Sequence, residues 1–265
     1  MKVALIQFNA TEDKEKNVRR AKKFVQQAIL EKAQWILLPE VFNFRGDVSN
    51  KTVTRQIEES IPGETSQDFL EIAQKHNVAI LLGSLLEKSS KKKAYNTSVY
   101  LNGHANEVKK YRKIHLFEAV LGDKILNEAL LMSPGKKLQI VAVKEFKVGL
   151  SICYDLRFPD LYQQYAHQGA HVLTVPSCFT KHTGKAHWET LLRARAIENF
   201  CYVLAPNQVG RDSRGIESYG NSMIVGPWGE VIARGSADKE EIIFGNIFLS
   251  NVNEARRKLP GIIKE

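Results

Sequence analysis

Cys153 lies between a predicted strand and a predicted helix. The apolar, β-branched run of residues 148–152 predicts a buried strand, and Cys153 follows it directly. Pro159 suits the first turn of a helix that begins after the bend. A cysteine in such a bend is lifted clear of the sheet, and the nearby helix start favours a thiolate. Cys153 could therefore act as a nucleophile, although burial in a core is the commonest fate of a free cysteine.

A carboxylate and a lysine elsewhere in the chain could serve such a nucleophile. A second apolar run, residues 35–38, leads to Glu40, and α/β proteins commonly place their sites at the carboxyl ends of strands. The same residue could equally be a strand-end glutamate in solvent. In the basic stretch 107–117, Lys113 and His115 share a face if the chain is extended there. That stretch also fits a charged edge strand or a surface loop.

Other chemistries leave no comparable pattern in this sequence. His167 and His171 are four residues apart, but Gly169 lies between them. His182 and His187 are not at helical spacing, so we expect no metal site. Neither a Gly-x-Ser-x-Gly serine elbow nor a phosphate-cradling glycine loop occurs.

The composition is that of an ordinary globular protein: 265 residues, 43% apolar and 25% charged. No apolar run reaches the length of a membrane span, and the first eight residues turn polar too soon for a signal peptide. Three sparse cysteines, of which we expect Cys178 and Cys201 to be packing residues, indicate a cytoplasmic protein. The net charge of +9 comes without a basic face or a recognisable module, so we expect no nucleic-acid partner.

Short apolar runs alternate with amphipathic stretches along the whole chain. They predict strands at residues 2–8, 35–38, 78–86, 97–102, 138–143, 148–152, 171–175, 202–206, 222–225 and 242–247. Helices are predicted at residues 14–32, 65–76, 158–167, 186–199 and 251–258. This alternation indicates an α/β fold, and strands that follow one another without a helix indicate mixed pairing. No linker divides the chain, so we expect one domain over residues 1–265.

The segments that contain Glu40, Lys113 and Cys153 together resemble the nitrilase (carbon–nitrogen hydrolase) superfamily. They follow that family's order of Glu, Lys and Cys along the chain. The resemblance rests on Leu37-Leu38-Pro39-Glu40, Tyr111-Arg112-Lys113-Ile114-His115-Leu116 and Cys153-Tyr154-Asp155. It continues through residues 184–189, 193–199, 219–223 and 226–229. The segment 153–158 looks like the Nit branch, which contains ω-amidases and amidases that hydrolyse deaminated glutathione. Residues 191–198 and 218–220 look closer to the deaminated-glutathione members.

The resemblance implies a four-layer α-β-β-α sandwich with two mixed β-sheets, paired into homodimers or larger assemblies, and no cofactor. It implies that Cys153 attacks an amide carbonyl while Glu40 moves the protons. Lys113 and the backbone N–H of Tyr154 would hold the oxyanion. The family's second, supporting glutamate best matches Glu128, and the loop before it is one residue shorter than in typical Nit members.

The same resemblance assigns Arg157 to the carboxylate of the substrate, a bidentate pairing that a lysine could not copy. Phe179 and Thr183 match positions that line the same pocket. A salt bridge from Arg157 to a neighbouring acid is the alternative. The implied activity is hydrolysis of a small carboxylated linear amide, of the deaminated-glutathione or ω-amide type, to acid plus ammonia through a cysteine thioester. The rival interpretations are an N-carbamoyl amino-acid amidohydrolase, a nitrilase, or a non-catalytic binding subunit.

Overall fold

Most strands of the protein belong to two β-sheets. The structure, a computed structural model, describes residues 1–90, 93–121 and 124–260. The expected domain of residues 1–265 includes further residues that lie outside these ranges. Within the described residues the strands form two six-stranded sheets and two short hairpins. In chain order the strands are β1 (Lys2–Gln7), β2 (Trp35–Leu37), β3 (Ala79–Glu87), β4 (Tyr95–Asn102), β5 (Glu107–Arg112), β6 (Glu118–Leu121), β7 (Lys124–Asn127), β8 (Ile140–Val143), β9 (Phe146–Leu150), β10 (Val172–Thr174), β11 (Tyr202–Ala205), β12 (Val209–Arg211), β13 (Glu217–Tyr219), β14 (Met223–Val225), β15 (Val231–Arg234) and β16 (Glu241–Asn246).

Helices connect or flank these strands. In the described chain the α-helices are α1 (Lys14–Leu30), α2 (Lys51–Ile57), α3 (Glu64–His76), α4 (Pro159–His167), α5 (Lys181–Asn199) and α6 (Leu249–Lys258). Two 3₁₀ turns, Glu128–Leu130 and Cys153–Arg157, carry residues that the sequence marks as functional.

Each six-stranded sheet combines parallel and antiparallel pairing. The first sheet has the order β16-β1-β2-β3-β4-β5, with β1, β2 and β3 parallel and the remaining pairs antiparallel. The second has the order β15-β14-β11-β10-β9-β8, with β9, β10 and β11 parallel. Both sheets are therefore mixed, as predicted.

The alternation of side chains along β1 explains the layers. Val3 and Leu5 belong to the core cluster that also contains Val148 and Leu150 of β9, so the two sheets pack face to face. Their neighbours on the opposite side of β1 belong to the cluster shared with α1 and α3. The second sheet is covered on its outer side by α4 and α5, through residues such as Trp188. The predicted four-layer α-β-β-α sandwich is confirmed.

Most predicted elements are present in the structure, and several short elements were not predicted. All ten predicted strands are present, with ends that differ by one or two residues. Helix α5 begins at Lys181, five residues before its predicted start at residue 186, because the Thr180 side chain caps its first turn. Helix α2, the hairpins β6–β7 and β12–β13, and strand β15 were not predicted, since these elements are too short to show a period. Strand β5 is an edge strand, one of the alternatives left open for the basic stretch.

A buried carboxylate at the end of β3 anchors β5. The Glu87 side chain is only 3% exposed, and it accepts hydrogen bonds of 2.7 Å from Arg112 Nε and 2.7 Å from Arg112 Nη2. Lys110 Nζ donates at 2.6 Å and Thr97 Oγ1 at 2.8 Å. Burial acts to raise the pKa of Glu87, but the hydrogen bonds from Arg112, Lys110 and Thr97 outweigh it and bring the pKa to about 2.

We expect Glu87→Gln to lower the free energy of unfolding at neutral pH by about 2–3 kcal/mol, because Arg112 and Lys110 lose their buried partner. The folded-state pKa lies below the usual 4.5, so the contribution of Glu87 is complete above that pH and declines as the pH falls towards 2. Urea unfolding of both proteins should show their stability difference narrowing in acid. A difference that stays constant down to about pH 3 would contradict this assignment.

Candidate active site

Three predicted site residues follow strands that end at one edge of the sandwich. Glu40 lies three residues beyond β2, Lys113 directly follows β5, and Cys153 lies three residues beyond β9. Strand β5 runs parallel to β2, because β2–β3 is a parallel pair and β3–β4 and β4–β5 are both antiparallel. The three side chains line one cavity with a volume of about 420 Å³.

The bend that carries Cys153 is tight. Its φ of 46° lies in the left-handed region, a conformation that costs a residue other than glycine about 1–3 kcal/mol. The backbone N–H of Cys153 donates to Pro176 O at 3.0 Å, and a 3₁₀ turn begins at the cysteine itself. Helix α4 begins later, at Pro159, where proline was expected in the first turn. The predicted strand–bend–helix placement of the cysteine agrees with these elements.

An ammonium group lies buried between two carboxylates. Lys113 Nζ donates to Glu40 Oε1 at 2.9 Å and to Glu128 Oε2 at 2.8 Å, and its side chain is 1% exposed. Burial alone would lower the pKa of Lys113, but the charges of Glu128 and Glu40 outweigh it and raise that pKa well above its usual value. Lys113 is therefore a cation in the site. Burial also raises the pKa of Glu128, against the opposing influence of Lys113.

The carboxylate of Glu40 is held by three donors from separate elements. Besides Lys113, the side-chain amide of Asn96 on β4 donates to Oε1 at 2.9 Å, and the backbone N–H of Cys178 donates to Oε2 at 2.8 Å. The sequence analysis identified neither the Asn96 side chain nor the Cys178 backbone N–H as part of the site. An asparagine within a strand and a backbone N–H carry no chemical signature, so the sequence offered no signal for them.

The thiol of Cys153 is a weak acid in this arrangement. Burial is the largest cause, and the Glu40 carboxylate adds to it, so the pKa of Cys153 lies well above its usual value. Lys113 and the backbone N–H of Cys178 act in the opposite direction without prevailing. The expected help from a nearby helix start does not decide the protonation of the thiol, because α4 begins six residues beyond Cys153 and burial, with the Glu40 charge added, raises the pKa.

Every residue assigned to substrate binding lines the same cavity. Arg157, Phe179, Thr183 and Tyr154 stand around it together with the three residues above and Glu128. The Arg157 guanidinium lies 5.1 Å from the ring centre of Phe179 and 5.8 Å from that of Tyr154, and its Nη1 is 3.3 Å from His187 Nδ1. Among the side chains that the structure describes, no carboxylate forms a salt bridge with Arg157, so the alternative of a structural ion pair finds no support.

Part of the cavity wall is apolar, and this part is called the apolar lobe. Its walls there come from a small hydrophobic cluster separate from the two main cores, and the members that line the cavity are Phe44, Val48, Ile57, Leu86, Leu131 and Met132. The cations nearby are occupied: Arg45 donates to backbone carbonyls such as Val209 O at 2.9 Å, and Arg214 pairs with Asp212 at 2.8 Å. This lobe therefore offers mainly apolar surface.

Residues 1–90, 93–121 and 124–260 contain no group of three or more His, Cys, Asp or Glu side chains arranged to hold a metal ion. The helices of the same residues include none that is long and apolar enough to cross a membrane. The sequence-based expectation that catalysis needs no cofactor stays a prediction.

The chain matches known proteins over nearly its whole length. The sequence model of the carbon–nitrogen hydrolase family covers residues 2–257. Human omega-amidase NIT2 is 36% identical over 260 residues, covering 98% of this chain and 92% of that protein. Deaminated glutathione amidase of Dictyostelium discoideum is 35% identical over 266 residues, covering 98% of this chain and 91% of that protein. These identities are too similar to separate the two activities.

The fold matches a solved structure equally well. The crystal structure of the Caenorhabditis elegans NitFhit protein superposes with a TM-score of 0.89 at 36% identity, covering 98% of this chain and 63% of that one. This relative is a fusion of a nitrilase with a fragile histidine triad protein, and the present chain spans 59% of its full length. The resemblance inferred from the motifs is confirmed.

We expect Glu40→Gln to make Cys153 more reactive towards iodoacetamide at neutral pH. The Glu40 charge raises the pKa of the thiol, so its removal lowers that pKa and increases the thiolate fraction. The measurement is the rate of alkylation at Cys153, followed by peptide mass spectrometry as a function of pH.

Glu128→Gln is the matched control, because Glu128 contacts the Lys113 ammonium and is not among the main causes of the shifted Cys153 pKa. It should change the alkylation rate much less than Glu40→Gln does. Unchanged or slower alkylation in Glu40→Gln would show that this carboxylate does not control the sulfur.

Proposed function

Because the chain belongs to the carbon–nitrogen hydrolase family, we propose that it is an amidase that hydrolyses a small carboxylated linear amide through a cysteine thioester. The observation that carries this proposal is the convergence of Glu40, Lys113 and Cys153 in one cavity. Relatives named omega-amidase and deaminated glutathione amidase support this substrate class.

The first step is attack of Cys153 on the amide carbonyl. The raised pKa of Cys153 keeps the sulfur protonated at rest, so Glu40 takes its proton as the sulfur–carbon bond forms. The carbonyl oxygen becomes an oxyanion, which the Lys113 ammonium and the backbone N–H of Tyr154 stabilise. Because Lys113 is already held in place, this stabilisation requires little reorganisation during the reaction, and one such donor commonly contributes about 3–4 kcal/mol.

The second step releases the amine and then the acid. Glu40 returns its proton to the departing nitrogen, the C–N bond breaks, and a thioester remains on Cys153. Glu40 next takes a proton from water, whose oxygen attacks the thioester carbonyl, and the carboxylic acid leaves as the thiol is restored. Glu128 orients Lys113 throughout, through its hydrogen bonds of 2.8 and 3.1 Å.

The substrate's own carboxylate binds Arg157. This guanidinium faces the cavity without a carboxylate partner among the described side chains, and the rings of Phe179 and Tyr154 restrict its position. A planar guanidinium can donate two parallel hydrogen bonds to a carboxylate, which fixes the amide relative to Cys153.

The apolar lobe favours deaminated-glutathione-type amides over simple ω-amides. The departing nitrogen must face Glu40, which lines the same cavity as Val48 and Met132 of the apolar lobe. Ammonia would leave this space empty, whereas a nitrogen that carries the rest of a peptide would fill part of it. Ammonia release from ω-amides, amine release from N-substituted amides and carbon dioxide release from carbamoyl compounds should be assayed side by side with a nitrile. Turnover of the nitrile or the carbamoyl compound alone would favour a rival activity.

We also propose that the protein is cytoplasmic, forms a single domain over residues 1–265, and assembles as a homodimer or a larger homo-oligomer. Three free cysteines suit a reducing compartment. Ile197, Trp228 and Phe248 are 45%, 53% and 53% exposed, and we expect the partner subunit to cover them. Light scattering after size-exclusion chromatography tests the assembly.

Replacing the nucleophile should abolish activity and preserve the fold. We expect Cys153→Ala to lower kcat by at least about 10⁴-fold, because the proposed thioester forms on the Cys153 sulfur. Its melting temperature should stay within about 2–4 °C of wild type, since the change removes a single sulfur atom. Amide turnover and thermal unfolding are the measurements. Wild-type turnover in this variant would end the thioester mechanism.

Replacing the carboxylate-binding residue should affect substrates selectively. We expect Arg157→Lys to raise KM for a carboxylated amide by roughly 10- to 100-fold, because the bidentate contact is lost. KM for an aliphatic amide without a carboxylate should change by less than about threefold, and this substrate serves as the control. Equal effects on the two substrates would remove Arg157 from carboxylate binding.

A further inference from the structure

A second buried carboxylate lies in the turn that carries the nucleophile. Asp155 belongs to the 3₁₀ turn Cys153–Arg157, and its side chain has no exposed surface. It does not line the cavity, so it does not contact a substrate bound there. A fully buried charge requires donors on both oxygens, and the identity of those donors indicates what Asp155 does.

The donors to Asp155 come mainly from the segment around Lys113. Oδ1 accepts from the backbone N–H of His115 at 2.9 Å and lies 2.8 Å from His115 Nδ1. Oδ2 accepts from the Tyr111 hydroxyl at 2.8 Å and from the backbone N–H of Ile152 at 2.9 Å. Lys113 lies midway between Tyr111 and His115, and Ile152 directly precedes Cys153. One carboxylate therefore ties the lysine segment of the first sheet to the nucleophile turn of the second.

The surrounding groups hold this connection rigid. The His115 ring stacks on Phe158 with centres 3.7 Å apart and planes 7° apart, which fixes the ring that faces Asp155. Tyr111 is 1% exposed, and burial together with the Asp155 charge raises its pKa well above its usual value, so its hydroxyl remains a donor. The connection is made of short, buried hydrogen bonds that have few alternative arrangements.

We propose that Asp155 is a positioning residue that sets the separation between the Lys113 ammonium and the Cys153 sulfur. This inference rests on the proposed amidase function for its kinetic consequence, and on geometry alone for its effect on the thiol. The two reactive groups stand on different sheets, and Asp155 joins their carriers at the catalytic edge. A displacement of about 1 Å in such a site commonly costs on the order of 100-fold in rate.

The variant Asp155→Asn tests this positioning role. Each Asp155 oxygen accepts from a backbone N–H, of His115 on one side and Ile152 on the other. An amide has one oxygen, so Asp155→Asn must leave one of those two N–H groups facing an NH₂ group in either orientation. The link between the lysine segment and the nucleophile turn is therefore weakened with almost no change in volume.

We expect Asp155→Asn to lower kcat for a carboxylated amide by roughly 10- to 100-fold while KM changes by less than about threefold. Alkylation of Cys153 by iodoacetamide at neutral pH should also become slower, because Lys113 is one of the groups that lower the pKa of the thiol. Both rates are expressed per folded molecule, with the folded fraction measured by circular dichroism.

Glu87→Gln is the matched control, since Glu87 is also a buried carboxylate and also binds the β5 strand, through Lys110 and Arg112. Its described partners do not include the nucleophile turn. This variant should lose stability and keep wild-type kcat and alkylation rate per folded molecule. If Asp155→Asn keeps both rates as well, or if the two variants lose them to the same degree, Asp155 is a structural residue and the proposal is overturned.

Tyr111→Phe covers the case in which Asp155→Asn does not fold. It deletes one hydroxyl and leaves the Asp155 oxygen paired with Ile152, so a roughly 3- to 10-fold loss in kcat and slower alkylation are expected. Wild-type rates in this variant would overturn the proposal. If the wild-type protein hydrolyses no amide, the amidase assignment fails, and alkylation of Cys153 still decides the positioning role.

Discussion

The site depends on the burial of one positive charge. An isolated ammonium transferred to a protein interior is strongly destabilising, and Lys113 is almost fully buried. It is tolerated because Glu40 and Glu128 lie within 3 Å of its nitrogen. These carboxylates stand on a strand end and on a 3₁₀ turn that are far apart in sequence, so the ammonium can be accommodated only after the first sheet and its neighbouring loops have assembled. The electrostatic centre is thus a product of the tertiary fold.

Burial and the charges of Glu40 and Lys113 together determine the pKa of the Cys153 thiol. Glu40 raises the pKa of Cys153 and Lys113 lowers it, and the influence of Glu40 together with burial prevails. The resting site therefore holds a neutral thiol beside a carboxylate, and the proton moves when the carbonyl arrives. A preformed thiolate is unnecessary, because the acceptor is already oriented by Asn96 and by the backbone N–H of Cys178.

How much of this could be predicted follows from the kind of signal each residue carries. Apolar runs in the sequence predict buried strands, so the positions of Glu40 and Cys153 near strand ends could be predicted. Lys113 lies in a charged stretch whose pattern fits an edge strand or a loop equally well, and its role became visible through its resemblance to a family motif. Asn96 and the Cys178 amide have no sequence pattern, because their function arises from contacts between strands. The direction in which the pKa of the Cys153 thiol shifts depends on burial and on two nearby charges. Only the folded structure brings these influences together.

The β5 strand illustrates how one element serves stability and chemistry at once. Side chains alternate along it, and Lys110 and Arg112 point towards Glu87, while Tyr111 points towards Asp155. One face therefore fastens the strand to its own sheet, and the other fastens it to the second sheet beside the nucleophile. Since different side chains make the contacts of the two faces, we expect that weakening the Glu87 side leaves Lys113 in place relative to Cys153. The two-residue period of a β-strand is the physical reason that the anchoring contacts and the positioning contacts lie on opposite faces.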